Sequence, residues 1–428
     1  MTAQNEEQTE YLLVVQAPCY RVDEHTFATE SAFAEHLKVL QRKLASRFER
    51  IWIAAPEHSP EFYRANRGHL GHIVEQQERI FYVPLHRVDA STWEFWTRQA
   101  VPVWRALRRM TRRSSIVHSG LASDIFRPSL FLANVAGTLD RCKTLFIVDI
   151  DFRKDAWRFW KTGQWSLKSY LLCRALYDPI RVAQVLIATR TSSLLLLKSA
   201  SMVRDFGRGR PNVRNFWDTA HSLAQVIDES SLERHVRRLN DLDRPIALIY
   251  FGRFVSSKGL DLMIRAVSQA RSRSGRAFTL DLVGTGVELQ RLKALVDELG
   301  AKDWVRFNDP VPYGPQLFSK ISKADLLLAT PISEDTPRSA FDAMAAGLSI
   351  LGFDIDYYVS LSQETEAVVT SPWPDIDALS ERLVSLDEDR PRLARMCRAA
   401  VAFAKANTQE TWIDRRVEWT LSLIDRHA

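Results

Sequence analysis

The sequence predicts an α/β protein built as two doubly wound domains, and three observations carry that prediction. Short apolar runs alternate with segments of helical period along both halves of the chain, the pattern of parallel strands joined by crossover helices. At 428 residues the chain is longer than one ordinary core can serve, so two units of roughly 200 residues are expected. Between the halves lies Asp228 to Arg244, DESSLERHVRRLNDLDR, a charged stretch that ends at Pro245 and reads as the approach to a new domain.

In the first half, Tyr11 to Ala17 reads as a strand, followed by a polar segment up to Ser31. Phe33, Leu37, Leu40 and Leu44 then repeat at helical spacing, and Ile51 to Ala55 gives the next strand. Ile80 to Pro84, Ile116 to His118 and Leu145 to Asp149 continue the series, the last ending in Asp149-Ile150-Asp151. Between them, Arg98, Arg105, Arg108, Arg109, Arg112 and Arg113 fall in one segment without an acid, beside Trp93, Trp96 and Trp104. Arginines on one side of a helix with tryptophans on the other suit an anionic membrane surface, where each basic residue is worth about 1 kcal/mol. A solvated face over a buried apolar stripe accounts for the segment equally well. A second aromatic and basic cluster, Trp157 to Tyr170, favours the membrane.

In the second half, Ile246 to Tyr250 reads as a strand leading into Gly252-Arg253 and Lys258-Gly259. A helix from Leu260 to Arg271, a strand at Thr279 to Val283, the turn Gly284-Thr285-Gly286, a helix from Glu288 to Leu299 and a strand near Val305 follow. They lead to the most informative stretch, ATPISEDTPRSAFDAMAAGLSILGFD from Ala329 to Asp354. The apolar run Leu326 to Ala329 that enters it reads as a buried strand, Thr336 fits an N-cap, Pro337 the first helical position and Gly347 the left-handed residue that closes the helix. A helix start at the carboxyl edge of a parallel sheet favours anions, because free N–H groups and the helix dipole point there. Glu334 and Asp342 sit around the same start, and carboxylates repel phosphate but accept hydrogen bonds from hydroxyls. A ligand carrying both phosphates and hydroxyls fits the combination. On this stretch alone, an ordinary strand-helix-strand unit with solvated acids fits at least as well.

Composition narrows the class. With 46% hydrophobic and 26% charged residues the chain has the balance of a soluble globular protein. The four cysteines, Cys19, Cys142, Cys173 and Cys397, have no paired spacing, which argues against a zinc site or a disulfide framework and for a reducing compartment, hence the cytoplasm. Met1 to Glu10 is polar and acidic, unlike a secretory signal, and no apolar run reaches the about 18 residues of a membrane span. The longest candidate, Ile180 to Ala200, is broken by Arg181, Arg190 and Lys198. The net charge of +6 comes with no recognised nucleic-acid motif, so no nucleic-acid partner is expected.

Read as a series, FGRFVSSKGLDLMIRAV at Phe251, LVGTGVELQRLKALVDELG at Leu282, VRFNDPV at Val305, KADLLLA at Lys323 and EDTPRSAFDAMAAGLSI at Glu334 resemble glycosyltransferase family 4. These are retaining nucleotide-sugar enzymes of the GT-B fold, two Rossmann-like domains facing a central cleft. The resemblance covers about 110 residues, and five weak motifs in register constrain far more than one. It implies an acceptor domain over residues 1 to 225, rejoined by a carboxyl-terminal helix at 412 to 428, and a donor domain over 245 to 405. Trp412 to Arg426 carries Ile413, Val417, Leu421 and Ile424 at helical spacing, as a helix crossing back would.

Carried over position by position, the resemblance gives Arg253 and Lys258 to the donor diphosphate, Glu334 to hydroxyls of the transferred sugar and Asp342 to the ribose. The backbone from Thr336 through Pro337 and Arg338 to Ser339 would cap a phosphate. Gly252, Gly284 and Gly286 would let the chain pass close to the nucleotide, and the loop from Val311 to Tyr313 would border the base. Asp342 stands where the family has Glu. The first strand is followed by APCYRVDEHTFATES rather than a glycine-rich turn, and the histidine that many members carry after the strand matching Leu145 to Asp149 is replaced by Asp149 and Asp151, with His118 on the preceding strand as another acceptor-side candidate.

The function implied is transfer of a sugar from a nucleoside-diphosphate sugar, a UDP- or GDP-sugar, to a hydroxyl of a glycan or lipid-linked acceptor in polysaccharide or glycoconjugate synthesis. It needs no cofactor and no metal if two cations and a helix dipole stabilise the leaving diphosphate. The basic segment Arg98 to Arg113 would bring a cytoplasmic protein to the inner face of the membrane. Asp149-Ile150-Asp151 also resembles the metal-binding DxD signature of the GT-A architecture, but nothing in the second half fits that fold. Gly284-x-Gly286 is followed by Leu289 where a dinucleotide fingerprint needs a small residue, which argues against an oxidoreductase. The alternative of another class is a GT-B protein without turnover that serves as a nucleotide-binding or scaffold partner.

Overall fold

Leu194–Leu197 and Leu326–Ala329 are buried along their whole length, which only the middle of a parallel sheet covered on both faces allows. Burial of one such leucine side chain contributes about 1.5–3 kcal/mol. The structure, a computed structural model, describes residues 10–425. The polar leader, apart from Glu10, and Arg426 lie outside the described residues.

The strands of the amino-terminal half are β1 (Glu10–Val14), β2 (Tyr20–Arg21), β3 (Thr26–Glu30), β4 (Arg50–Glu57), β5 (Leu70–Val74), β6 (Ile80–Arg87), β7 (Ile116–Gly120), β8 (Lys143–Val148), β9 (Leu194–Leu197) and β10 (Val213–Asn215). Those of the carboxyl half are β11 (Ile246–Phe251), β12 (Phe278–Val283), β13 (Val305–Asn308), β14 (Leu326–Ala329), β15 (Ser349–Phe353) and β16 (Val368–Ser371). The first half forms a seven-stranded sheet of order β10-β9-β8-β7-β1-β4-β6, the second a six-stranded sheet of order β13-β12-β11-β14-β15-β16. All pairings in both are parallel. The expected α/β, doubly wound GT-B architecture is therefore present.

Three local differences matter. The polar segment before Ser31 is not a loop: β2 and β3 form a small antiparallel sheet with β5. These strands are only two to five residues long, too short for a period-2 signal. The run from Ile180 to Ala200 divides into a helix, Asp178–Thr191, and the core strand β9, with Lys198 at the strand's carboxyl end. The charged stretch from Asp228 becomes a helix, Glu229–Leu239, whose Leu232 and Val236 pack on Ala394 and Val401 of the carboxyl half.

The last helix, Gln409–Asp425, returns to the first half. Val417, Leu421 and Ile424 pack against the core under β1 and β4. Lys43 reaches Asp414 at 2.6 Å and Arg47 reaches Asp425 at 3.2 Å.

The basic segment forms the helix Ala100–Thr111, with Val103, Leu107 and Met110 buried beneath it. Its arginines do not act as one free patch: Arg108 and Arg112 pair with Asp140, and Arg113 with Glu10. Trp93 and Trp96 are exposed nearby. Among the described residues no helix is long and apolar enough to cross a membrane.

Candidate active site

Each parallel sheet reverses its strand order once, between β11 and β14 and between β1 and β7, and ligands of such sheets sit at the carboxyl ends beside the reversal. A cavity of about 620 Å³ opens at the first reversal, lined by Gly252, Arg253, Lys258, Tyr313, Asp335, Pro337, Arg338, Ser339 and Asp342 among others. It gathers three cations and two acids from two segments, Arg253 and Lys258 after β11 and Asp335, Arg338 and Asp342 after β14.

Local chemistry places these groups. Gly284 and Gly286 bring the loop after β12 against the loop after β11: a Cβ on Gly284 would lie 2.0 Å from the Gly252 carbonyl oxygen, and one on Gly286 2.3 Å from that of Phe254. They thus press one loop onto another, and neither lines the cavity. The Lys258 turn is fixed from β14, because the Thr330 hydroxyl donates to the Lys258 carbonyl at 3.1 Å and Ile332 N–H to the Ser257 carbonyl at 2.9 Å. The Lys258 ammonium pairs with Asp335, while the exposed Arg253 has no ion pair among the described residues. Val311 is half-buried against the core, and Tyr313 is the part of its loop that reaches the cavity.

The helix after β14 starts later than the sequence suggests. Its regular part is Ser339–Ala345 and Arg338, not Thr336, is its N-cap. Pro337 forms a tight preceding turn by accepting from Ala340 N–H at 3.2 Å, and the Thr336 hydroxyl donates to the Asp149 carbonyl at 3.4 Å. Thr336 is thus drawn to the opposite domain instead of capping. Gly347 closes the helix at φ +94°, as expected.

Asp342 is buried on this helix and faces the cavity, with the Tyr313 hydroxyl donating to it at 3.2 Å. Burial pushes its carboxyl up to about 7, against the pull of that hydrogen bond and of Arg338. Glu334 does not line the cavity. It is buried at the domain junction in an ion pair with Arg158, from the helix Asp155–Lys161 of the first half, and it accepts from Asp356 N–H at 3.2 Å. Glu334 N–H in turn donates to Asp155 at 2.7 Å. Burial pushes the Glu334 carboxyl up, opposed by the Arg158 guanidinium, and raises Asp155 to about 7. Arg158 also lies over the Trp373 ring, with its Nε buried and unpaired.

At the second reversal, between β1 and β7, lies a cavity of about 690 Å³ lined by His36, His118, Asp149, Lys198, Asp218 and Arg416 among others. Arg338 and Gln409 line both large cavities, so the two form one cleft between the domains. His118 shares a 2.6 Å hydrogen bond with the Tyr11 hydroxyl, and burial drives its imidazole down to about 3. It is a neutral wall residue. Asp149 pairs with Lys198 at 2.8 Å, and Lys198 reaches Asp218 at 3.2 Å. Asp151 turns away: it is buried against Arg153 and accepts from Ser201 at 3.3 Å. The two acids of the Asp149-Ile150-Asp151 run therefore do not converge, and no metal-binding cluster of His, Cys, Asp or Glu occurs among the described residues.

Sequence reasoning missed Arg158, Lys198, Asp218, Asp335 and Arg416. Lys198 had a signal, since it ends a buried strand at the same sheet edge as Asp149, where ligands bind. Arg158 had none, because its partner lies 176 residues away.

Comparison with known proteins bears chiefly on the carboxyl half. Residues 233–402 match the glycosyl transferases group 1 family. Over 114 residues, 27% of the chain, it is 28% identical to the GtfA subunit of UDP-N-acetylglucosamine–peptide N-acetylglucosaminyltransferase of Streptococcus gordonii, over 22% of that protein. A stretch of 110 residues, 25% of the chain, is 32% identical to the lipopolysaccharide core biosynthesis glycosyltransferase LpsD of Rhizobium meliloti, over 30% of it. The chain thus matches under a third of the length of either relative. The whole GT-B fold is shared with Anabaena Alr3699/HepE, solved with UDP, at TM-score 0.62 and 15% identity, covering 96% of this chain and 99% of that one.

Proposed function

We propose that the protein is a retaining glycosyltransferase of family 4 type that takes a UDP-sugar and transfers the sugar to a glycan or lipid-linked hydroxyl. The observation that carries this reading is the cavity at the β11/β14 reversal, where Arg253, Lys258 and Arg338 face Asp342. Cations for a diphosphate beside a carboxylate for a diol are the complement of a nucleoside diphosphate. UDP is preferred to GDP because the similar HepE was solved with UDP and the GtfA relatives are named for a UDP-sugar.

In this reading residues 1–225 with 412–428 hold the acceptor and 245–405 the donor. The bond from the anomeric carbon to the diphosphate oxygen breaks. The acceptor oxygen bonds the same face of that carbon, and its proton passes to the departing diphosphate. Arg253 and Lys258 stabilise the negative charge that builds there, which does not call for a metal. Asp342 holds the ribose, and Glu334 the sugar hydroxyls once Arg158 shares it. The amides from Thr336 to Ser339 add dipole at a phosphate.

Lys258→Ala tests the assignment: UDP release from a UDP-sugar with acceptor should fall on the order of 100-fold, as on loss of one oxyanion donor. An unchanged rate would refute the role. A reading as a nucleotide-binding partner without turnover is favoured by one observation, the burial of Glu334 against Arg158. It predicts UDP binding with no release from any UDP-sugar. Exposed Trp93 and Trp96 beside Arg98, Arg105 and Arg109 would seat the protein on an anionic membrane. It should then float with anionic vesicles at low salt, and recovery in the soluble fraction would reject the seat.

A further inference from the structure

Behind the acceptor side of the cleft lies a third cavity, of about 180 Å³, between β1, β8, β9, the helix Ser31–Leu44 and the returning helix Gln409–Asp425. Its walls are aliphatic, chiefly Leu13, Leu40, Leu44, Leu196, Ile413 and Val417. The few hydroxyls on it are engaged: Tyr11 with His118, and Thr420 with the Arg416 carbonyl at 2.7 Å. Water needs two to four polar partners to stay, and an apolar cavity of about 150 Å³ remains dry and binds benzene. Phe33, His36, His118 and Arg416 line both this chamber and the polar cleft that holds Asp149, Lys198 and Asp218. The chamber is therefore a branch of that cleft rather than an isolated packing void. Burial lowers the affinity of both imidazoles for protons, so the wall between the two spaces is neutral apart from Arg416.

We infer that the chamber receives the apolar end of the acceptor, so that the acceptor is amphipathic, with a hydroxyl-bearing head in the polar cleft and an apolar group of about six carbons, the size of benzene, behind it. This rests on the reading of the neighbouring cleft as the acceptor site. The apolar group is either an aliphatic chain or an aromatic aglycone, and the test separates the two.

The experiment compares methyl, hexyl and phenyl glucosides, below any micelle concentration, for binding to the whole protein by calorimetry, with UDP titrated separately. Each methylene moved out of water favours binding roughly fourfold. Hexyl or phenyl glucoside should therefore bind at least about tenfold tighter than the methyl compound. Preference for hexyl alone identifies an aliphatic chain, and preference for phenyl alone an aromatic group. Val417→Phe and Leu40→Phe fill the chamber from its two helices and should abolish the preference with UDP affinity unchanged. Equal affinity of the three glucosides for the unaltered protein, or a preference that survives in both folded variants, overturns the inference. If neither variant folds, the glucoside comparison on the unaltered protein decides alone. Failure to bind UDP would instead sink the glycosyltransferase reading, since the glucoside comparison needs no donor.

Discussion

Removing Arg158 tests how the two domains are joined. Arg158→Met keeps most of the side chain's volume but leaves Glu334 buried with no cation beside it. Breaking a buried ion pair from one side costs about 3–5 kcal/mol, most of it the uncompensated charge. Glu334 has an escape, because burial already pushes its carboxyl up and loss of the guanidinium pushes it further. A neutral Glu334 avoids the full penalty, which places the expected loss near the lower end, about 3 kcal/mol. At about 2–4 °C per kcal/mol for domains of this size, Tm should fall by about 6–12 °C.

The pH dependence follows from the sign. A carboxyl whose folded pKa is raised favours folding most when protonated, below its unfolded value near 4.5, and that contribution is lost as pH rises through the raised value. The Tm deficit of the variant should accordingly be larger at pH 8 than at pH 5. Scanning calorimetry of Arg158→Met, Glu334→Gln and the double variant gives the coupling, and the double variant should be more stable than the sum of the singles predicts. A deficit below 2 °C at pH 8, one that does not change with pH, or strict additivity would refute the reasoning.

Further outcomes bear on the cavity at the β11/β14 reversal. Asp335→Asn frees Lys258 from its partner and removes a carboxylate from beside the proposed phosphates, so UDP affinity should rise about two- to fivefold, the scale of a partly exposed pair; calorimetry showing weaker binding would instead make Asp335 a positioning group for Lys258. Asp342 is raised to about 7 by burial, and only its ionised form accepts from both ribose hydroxyls, so UDP should bind more tightly as pH rises from 6 to 8. Asp342→Asn should remove that component while leaving the titration of UDP's own phosphate, and identical pH profiles would exclude Asp342 from the ribose.

The sequence was most legible where structure is local. Leu326–Ala329 and Gly347 announce a buried strand and a helix end through residue type alone, and both stand where they were expected. The boundary at Thr336 was misread because its hydroxyl had a competitor: the Asp149 carbonyl of the other domain attracts it, and the helix opens on the Pro337 turn instead. The glycines at 284 and 286 were read as letting the chain pass close to a nucleotide, whereas what they press against is the backbone at 252–254. A glycine records that something comes near and not what it is.

The cleft shows the same limit on a larger scale. The cavity at the β11/β14 reversal is assembled from segments after those two strands, neighbours in one sheet, so motif spacing reports on it. On the other side of the cleft, Lys198 and Asp218 meet just beyond the neighbouring strands β9 and β10, and Arg416 joins them only because the last helix folds back across the first sheet. Glu334 belongs to both halves at once, to the second by its place in the loop after β14 and to the first by its ion pair with the helix Asp155–Lys161. Its carboxylate can hold a sugar hydroxyl only while its remaining lone pairs are not all taken by Arg158 and Asp356 N–H. In the proposed reaction, turnover therefore requires Arg158 to share that carboxylate with a sugar, and the competition exists because the ion pair joins the two halves of the chain.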